Sequence, residues 1–350
     1  MSTTTHTIAI APHDTLFFRN GAPFSMGEET WAETSLLPHP SVIWGALFTS
    51  LMSEGLLDLS QKEALILRDI FLYRPATKIL GEKMLLPAPL DLFYREKKPG
   101  NYEVFEENYE ERTAFLSNAV SELLYLTIPK TQGKNIKVDR VENFWIDTVD
   151  FLENYPARNA SIRLYAPSEF VLPYSKIGIG RSNESRTSEE GMLYRTDMSE
   201  LSPDWRIGVV LDGPADMPDQ GLFRLGGEGK TAVWHKLDKA FPHNPPPNQD
   251  DIWFKLYFQT PALFNSGGNG VQELSKLHSA NLKSASIGKP LHIGGWDMEE
   301  RRPKPMRRAA PPGSVYVFKG NPYKTSLEIN PLFDKNDLQK GFCRHHFIQF

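Results

Sequence analysis

Leu225-Gly-Gly-Glu-Gly-Lys-Thr231 decides the fold class, because a glycine loop ending in Lys-Thr is how several nucleotide-binding α/β domains begin. Counting back from Gly229-Lys230-Thr231, a phosphate loop needs glycine at position 224, and that residue is Arg224. A dinucleotide fingerprint over Gly227, Gly229 and Ala232 would take Asp250 or Asp251 as its ribose acid, yet the proline-rich run 242–247 in between cannot complete a βαβ unit. Both parallel-sheet readings fail. Two remain: a loop whose Gly226, Gly227 and Gly229 let main chain approach another backbone closely, flanked by Arg224 and Lys230, or a purely structural bulge.

On the amino-terminal side, residues 5–19 alternate and are broken by Pro12 and Asp14 into two short strands. Pro38-His-Pro40-Ser41 stops extended structure and caps a helix carrying Val42, Ile43, Ala46, Leu47 and Leu51. Ser60-Gln-Lys-Glu63 is a capping box that predicts a second helix through Leu65, Ile66, Asp69 and Ile70. Strands are expected over residues 71–80 and 84–94, with Pro75, Pro87 and Pro89 at edges or bulges. Residues 96–122 hold seven Glu against three basic residues and lead into an amphipathic helix at 113–125, so the acidic insertion at 96–140 reads as solvent-facing and without chemistry. A long hairpin follows at 169–195, with a polar tip at 180–191, and residues 206–211 are the next strand.

On the carboxyl side, residues 242–250 form a stiff polar linker. Residues 252–258 and 314–318 read as buried strands, with a basic loop at 289–312 between them. The order is that of an α+β fold with antiparallel sheets, one unit over 1–241 and a second over 251–350.

At 350 residues the chain is too long for one ordinary core, which agrees with two units, and 40% apolar residues suffice to fill them. The single cysteine, Cys343, excludes an intramolecular disulfide framework and a multi-thiolate metal site, and fits a reducing compartment. The amino terminus lacks the pattern of a signal peptide, and the longest uncharged run, 34–53, is interrupted by Pro38 and Pro40, so neither secretion nor a membrane span is expected. Net charge is −4, but residues 270–324 carry ten Lys and Arg against four acids. That local surplus on an acidic body is the footprint of a polyanion site, or else a solvated charged loop.

Gly294-Gly-Trp-Asp297 is similar to the turn of palm-domain cyclases, which needs paired acids to hold two metals. Here Trp296 takes the place of one acid and no second Asp follows, so no metal and no cofactor is expected. Trp296 instead offers a stacking surface beside Arg301, Arg302, Lys304, Arg307 and Arg308, since single-stranded bases stack on aromatics while cations hold phosphates. Pro303, Pro305, Pro311 and Pro312 favour this loop reading over a core tryptophan. His345-His346 has the chemistry for acid–base catalysis, but neighbours in a strand point to opposite faces, which favours a structural role.

Seven stretches in order carry a family resemblance. Asp14-Thr-Leu-Phe-Phe-Arg19-Asn-Gly-Ala-Pro-Phe24, Pro40-Ser-Val-Ile-Trp-Gly-Ala-Leu47, Leu86-Pro-Ala-Pro-Leu-Asp91, Ile177-Gly-Ile-Gly-Arg181 with Gly191-Met-Leu-Tyr-Arg195, Arg224-Leu-Gly-Gly-Glu228, Thr260-Pro-Ala262, and Gly294-Gly-Trp-Asp-Met298 through Lys304-Pro-Met306 to Gly313-Ser-Val-Tyr316 resemble the RAMP-superfamily third subunit of the Cmr (type III-B) CRISPR effector complexes. The resemblance implies two ferredoxin-like, RRM-related modules and a non-catalytic, cytoplasmic subunit for antiviral RNA targeting. It implies that this subunit grips the 5′ tag of the CRISPR RNA and docks the large palm-domain subunit and neighbouring backbone RAMP subunits. Under it Arg19, Lys176, Arg181, Arg186 and Arg195 join the glycine loop and the basic loop as RNA contacts. Where family members often close with Gly-Phe-Gly, this chain has Gly341-Phe-Cys343. Two other classes stay open: a metal-independent endoribonuclease using His345, His346, Tyr194 and Lys230, and an adaptor that touches protein alone.

Overall fold

Thr3–Pro12 (β1) puts Ile8 and Ile10 on one face and Ala9 on the other, and both faces are buried, which marks it as a central strand. It is followed by α1 (Pro40–Ser53), β2 (Ile66–Arg74), β3 (Lys83–Pro87), β4 (Leu92–Lys98), β5 (Asn101–Glu106), β6 (Trp145–Asp147), β7 (Leu164–Tyr165), β8 (Val171–Arg181), β9 (Ser188–Leu201), β10 (Arg206–Pro214), β11 (Gln220–Arg224) and β12 (Thr231–Leu237). The rest comprises β13 (Ile252–Phe258), α2 (Val271–Leu274), β14 (Ala280–Ser286), β15 (Val315–Gly320), α3 (Pro322–Ile329), α4 (Lys335–Gln339) and β16 (His345–Gln349). The computed structural model describes residues 2–18, 31–32, 37–106, 108–111, 124–127, 137–157, 162–181, 187–297 and 301–350. At 31–32, 108–111, 124–127, 179–181, 188–194 and 296–297 the backbone alone is described.

Two antiparallel sheets organise the chain. The first has eight strands in the order β7-β6-β3-β2-β10-β1-β12-β11, the second four in the order β14-β15-β13-β16. The inner strands of the first sheet, β12-β1-β10-β2, repeat the arrangement of the second: in chain order each reads fourth, first, third, second, with a helix between its first and second strands. α1 covers one face of the first sheet, packing Ile43, Leu47 and Leu51 on Ile8, Ile10, Val209 and Trp234. The opposite face meets the second sheet, where Phe71 and Val210 share a core with Tyr257, Val317 and Ile348. Beyond the second sheet, Phe258, Phe264 and Phe347 pack under Leu274 of α2 and Ile329 of α3. Among the described residues no helix is long and apolar enough to cross a membrane.

A charged group sits inside this layered core. Lys255, on β13, is fully buried and pairs with Asp91 at 2.7 Å and with Glu106 at the end of β5. The Tyr155 hydroxyl lies 2.7 and 2.8 Å from the two Asp91 carboxylate oxygens, and its ring centroid is 4.1 Å from the Lys255 ammonium. The Glu106 pair holds the insertion to the second sheet.

Several local expectations change. The reciprocal cap forms at Asp58 and Gln61, two residues before the Ser60 box, and opens a short 3-10 turn, Leu59–Ala64; no second helix follows. Residues 66–74 instead form β2, because β10 offers them a full antiparallel ladder. The two short strands expected over 5–19 do not form within the described part, 5–18: β1 runs unbroken to Pro12, and Leu16 forms a single bridge to Ser199. The expected strand at 84–94 is split by the turn at 88–91, where Leu92 N–H donates to Pro89 O. The amphipathic helix at 113–125 lies mostly outside the described residues, but its end, Leu124-Tyr125, belongs to the strand Leu124–Thr127 paired with Asn108–Glu111. The insertion is not wholly solvent-facing either, since Val104 is buried and Glu106 reaches Lys255. The hairpin is longer than its expected span, with strands β8 and β9 extending to Leu201.

Candidate nucleic-acid interface

The glycine loop joins β11 to β12, closed by Leu225 N–H donating to Lys230 O at 2.9 Å. Its glycines serve a close main-chain approach from within the chain. Gly226 has φ +83, and a Cβ there would stand 2.8 Å from Phe17 O; Gly227 N–H donates to that same carbonyl at 2.9 Å. The Gly227 amide is therefore committed to Phe17, whereas Gly229 faces open space. The segment held in this way, residues 14–18, leads directly to Arg19, which lies outside the described residues, as does Arg186 in the hairpin tip.

Three further sequence candidates gather around this loop, each with an acid. Lys230 Nζ is 2.5 Å from Asp14 Oδ2, and that hydrogen bond, with backbone help from Thr15, holds the Asp14 carboxyl below its ordinary range. Lys176 of β8 pairs with Glu228 of the loop at 2.9 Å, which ties the hairpin to it. Arg195 of β9 pairs with Asp197 at 3.0 Å and donates to Ser175 Oγ at 2.9 Å. Arg224 is exposed on β11. Arg181 and Tyr194 lie in the paired hairpin strands, where the backbone alone is described. Beyond the sequence candidates, the same hairpin exposes Leu172, Tyr174 and Ile177.

A second group is the basic loop on the second sheet. It is held out by two short ladders, Leu291–Ile293 with Arg307–Ala309 and Trp296–Asp297 with Arg302–Pro303, and by Lys304 N–H donating to Gly295 O at 2.9 Å. Strand alternation splits the arginine pair. Arg307, half-buried, pairs with Asp337 at 2.5 Å, while Arg308 is exposed. Arg301, Arg302 and Lys304 are exposed as well, with Arg301 in the left-handed region at φ 49. Trp296 is placed by its backbone opposite Pro303.

The histidines of β16 point into different packings. His346 Nε2 meets Gln259 Oε1 at 2.8 Å among Phe151, Phe241 and Tyr257; His345 Nδ1 meets Cys343 O at 2.8 Å among Phe258, Phe333 and Phe347. Burial lowers His346 to about 3 and His345 to about 4, so both rings are neutral at physiological pH. The Gly341-Phe-Cys343 segment is a buried turn: the Cys343 amide donates to Pro261 O at 3.0 Å, and desolvation pushes the thiol up to about 12. Among the described residues no three His, Cys, Asp or Glu side chains converge as metal ligands.

Other quoted stretches meet where the two sheets face each other. Leu90 N–H donates to Gly313 O at 2.8 Å, and the Tyr257 hydroxyl donates to Pro87 O at 2.6 Å. Pro40, Pro87, Leu90, Pro261 and Pro311 line a cleft of about 540 Å³ there. What sequence reasoning missed is the neutralising set, Asp14, Glu228 and Asp337, which comes from distant chain positions. Only Arg195 and Asp197 had a local signal, being two apart on one strand face.

The chain belongs to the Cas_Cmr3 family of CRISPR-associated proteins, whose sequence model matches residues 8–328. It is similar in fold to a chain of the type III-B Cmr-beta bound to cognate target RNA and AMPPnP, at 16% identity and TM-score 0.53, covering 95% of this chain and 90% of that one. It is also similar to a chain of Cmr-beta bound to cognate target RNA, at 17% identity and TM-score 0.50, covering 95% of this chain and 91% of that one. No curated protein matches.

Proposed function

We propose that the chain is the third, RAMP-type subunit of a cytoplasmic type III-B CRISPR effector complex, a non-catalytic protein that grips the 5′ tag of the CRISPR RNA. In that assembly it docks the large palm-domain subunit and neighbouring backbone RAMP subunits. The observation that carries the reading is the basic loop: Arg301, Arg302, Lys304 and Arg308 are held out together on short ladders in a chain of the Cas_Cmr3 family. Exposed cations hold phosphates, and Trp296 in the same loop supplies the residue type on which a base stacks. The shared fourth-first-third-second strand order supports reading both sheets as ferredoxin-like modules, the split βαβ arrangement. Neutral, separately buried His345 and His346 favour binding over cleavage, because an acid–base pair needs both groups at one substrate.

The test is crosslinking of a tag-labelled guide RNA within the assembled complex, with a chelator-containing cleavage assay on the isolated chain. Crosslinks mapping to the basic loop, without cutting, are expected. Specific cutting at the tag boundary that His345→Ala or His346→Ala abolishes would overturn the non-catalytic reading, and absence of any crosslink to this chain would overturn RNA binding.

A further inference from the structure

The cleft of about 540 Å³ between the two sheets has walls tied to each other. The Gln259 side-chain amide, from the second sheet's side, donates to Ile70 O of β2 at 2.8 Å, and Ala262 and Ala310 exchange main-chain bonds of 2.9 Å next to Pro261 and Pro311. With the Leu90–Gly313 and Tyr257–Pro87 bonds, these hold the cleft in one shape in the free chain, so little ordering is left for a ligand to bring about. Six prolines line it: Pro38, Pro40, Pro87, Pro261, Pro311 and Pro312. Proline supplies apolar wall without an N–H. A cleft of this size at the junction of two units, mostly apolar with a few polar groups, is the usual form of a binding site.

Three neutral side chains in the cleft have hydrogen-bonding capacity to spare. Among the described residues none bonds to the imidazole of His39, the side-chain amide of Asn143 or the indole N–H of Trp145. His39 stands at the N-cap of α1 without capping it, and burial lowers its imidazole below the ordinary 6.5, so the ring is neutral at pH 7. Asn143 has φ 66, in the left-handed region, at a turn closed by Phe144 N–H donating to Val141 O at 3.3 Å. The rim carries one charge of each sign. Glu142, beside Asn143, and Lys289, from the second sheet's side, are exposed, and neither has an ion pair among the described residues.

An extended polypeptide fits this set. Each of its residues offers an N–H and a C=O that a helix would satisfy internally, and His39, Asn143 and Trp145 supply partners for them along an apolar wall. A primary amide such as that of Asn143 both donates and accepts, so it can take the N–H and the C=O of one residue together. A polyphosphate backbone fits less well, because Glu142 repels it and offsets the attraction of Lys289. We propose that the cleft binds an extended segment of a neighbouring protein subunit, with apolar side chains against the prolines, main chain on His39, Asn143 and Trp145, and a cation and an acid facing Glu142 and Lys289. This rests on the reading that the chain works inside a multisubunit effector complex, and it gives one docking surface a place and a chemistry. A nucleotide of the guide RNA is the competing occupant.

The experiment uses the full chain in the complex reconstituted from purified subunits and guide RNA. Benzoylphenylalanine placed at position 289 is photoactivated and its crosslinked partner mapped by mass spectrometry; one contiguous segment of a neighbouring subunit is expected. In parallel, Asn143→Gly removes the amide while glycine keeps the left-handed backbone, so the melting temperature of the chain should stay at its wild-type value. Its dissociation constant from the rest of the complex should rise roughly tenfold, the effect of two lost hydrogen bonds. If the wild-type chain does not join the complex, the membership reading falls and the site with it. If it joins but position 289 crosslinks guide RNA alone, or nothing, membership stands and the peptide site is refuted. An Asn143→Gly chain that binds the complex as tightly as wild type refutes the site as well.

Discussion

Lys255→Met removes the cation at the centre of the core while keeping the length and apolar stem of the side chain. Two carboxylates then lose their ammonium, and they respond differently. The Glu106 side chain retains 14% exposure and can turn to water, whereas Asp91, at 1%, cannot. Truncating one partner of a buried pair costs about 3–5 kcal/mol because the remaining charge is left desolvated. The full range is expected, since the Tyr155 ring at 4.1 Å also loses its cation. Adding Asp91→Asn should restore most of the loss, because a neutral amide still accepts the Tyr155 hydroxyl and the remaining carboxylate, Glu106, can turn to water. Urea unfolding of the full chain, followed by tryptophan fluorescence, gives the order wild type, double variant, single variant. A Lys255→Met protein within about 1 kcal/mol of wild type, or a double variant no more stable than the single, would show that Asp91 is not held as a buried charge by Lys255.

Other expectations follow from the same contacts. Arg308→Gln should lower the salt slope of RNA binding by roughly 0.7 while Arg307→Gln leaves it near wild type, since Arg307 is spent on Asp337; equal effects would mean that the ladder does not separate them. Gly226→Ala forces a side chain into the left-handed region against Phe17 O, costing about 1–2 kcal/mol from the backbone alone with the 2.8 Å contact in addition. Gly229→Ala meets nothing and should cost no more than the backbone share, which thermal melts compare directly. Stability should also fall with acid: His345 and His346 stay neutral in the fold down to about 4 and about 3, against an ordinary 6.5 when unfolded. The unfolded chain thus binds more protons below about pH 6.5, and the stabilisation present above that pH is lost on descending through the window. Urea midpoints that do not move between pH 7 and pH 5 would contradict the burial of these rings.

Much of the architecture was legible because strands and turns are written in short spacings. Residues 252–258 read as a buried strand and 206–211 as a strand from their mainly apolar runs, and both are inner strands of the two sheets. The failure at 65–70 has an equally physical cause. Leu65, Ile66 and Ile70 fit a helical face as well as a strand, and the choice fell to β10, whose free ladder lies more than 130 residues away at 206–214.

The candidate interface divides along the same line. Charge surplus in residues 270–324, the glycine loop and the opposed histidines are properties of composition and of two-residue alternation, so the chain alone determined them. Which cations keep their charge for a ligand is a different kind of fact. Coulomb attraction acts over a few ångströms of space whatever the distance along the chain. Lys230 finds its acid at Asp14, 216 residues away, and Arg307 finds Asp337, 30 residues away, while Arg308 beside it stays exposed. Gln339 likewise reaches the main-chain carbonyls of Lys62 and Leu65, 277 and 274 residues away, across two sheets that no local pattern could bring into register. What makes Lys255 tolerable inside a strand that reads as buried was decided by folding, because only the assembled layers supply the two carboxylates and the Tyr155 ring around its charge.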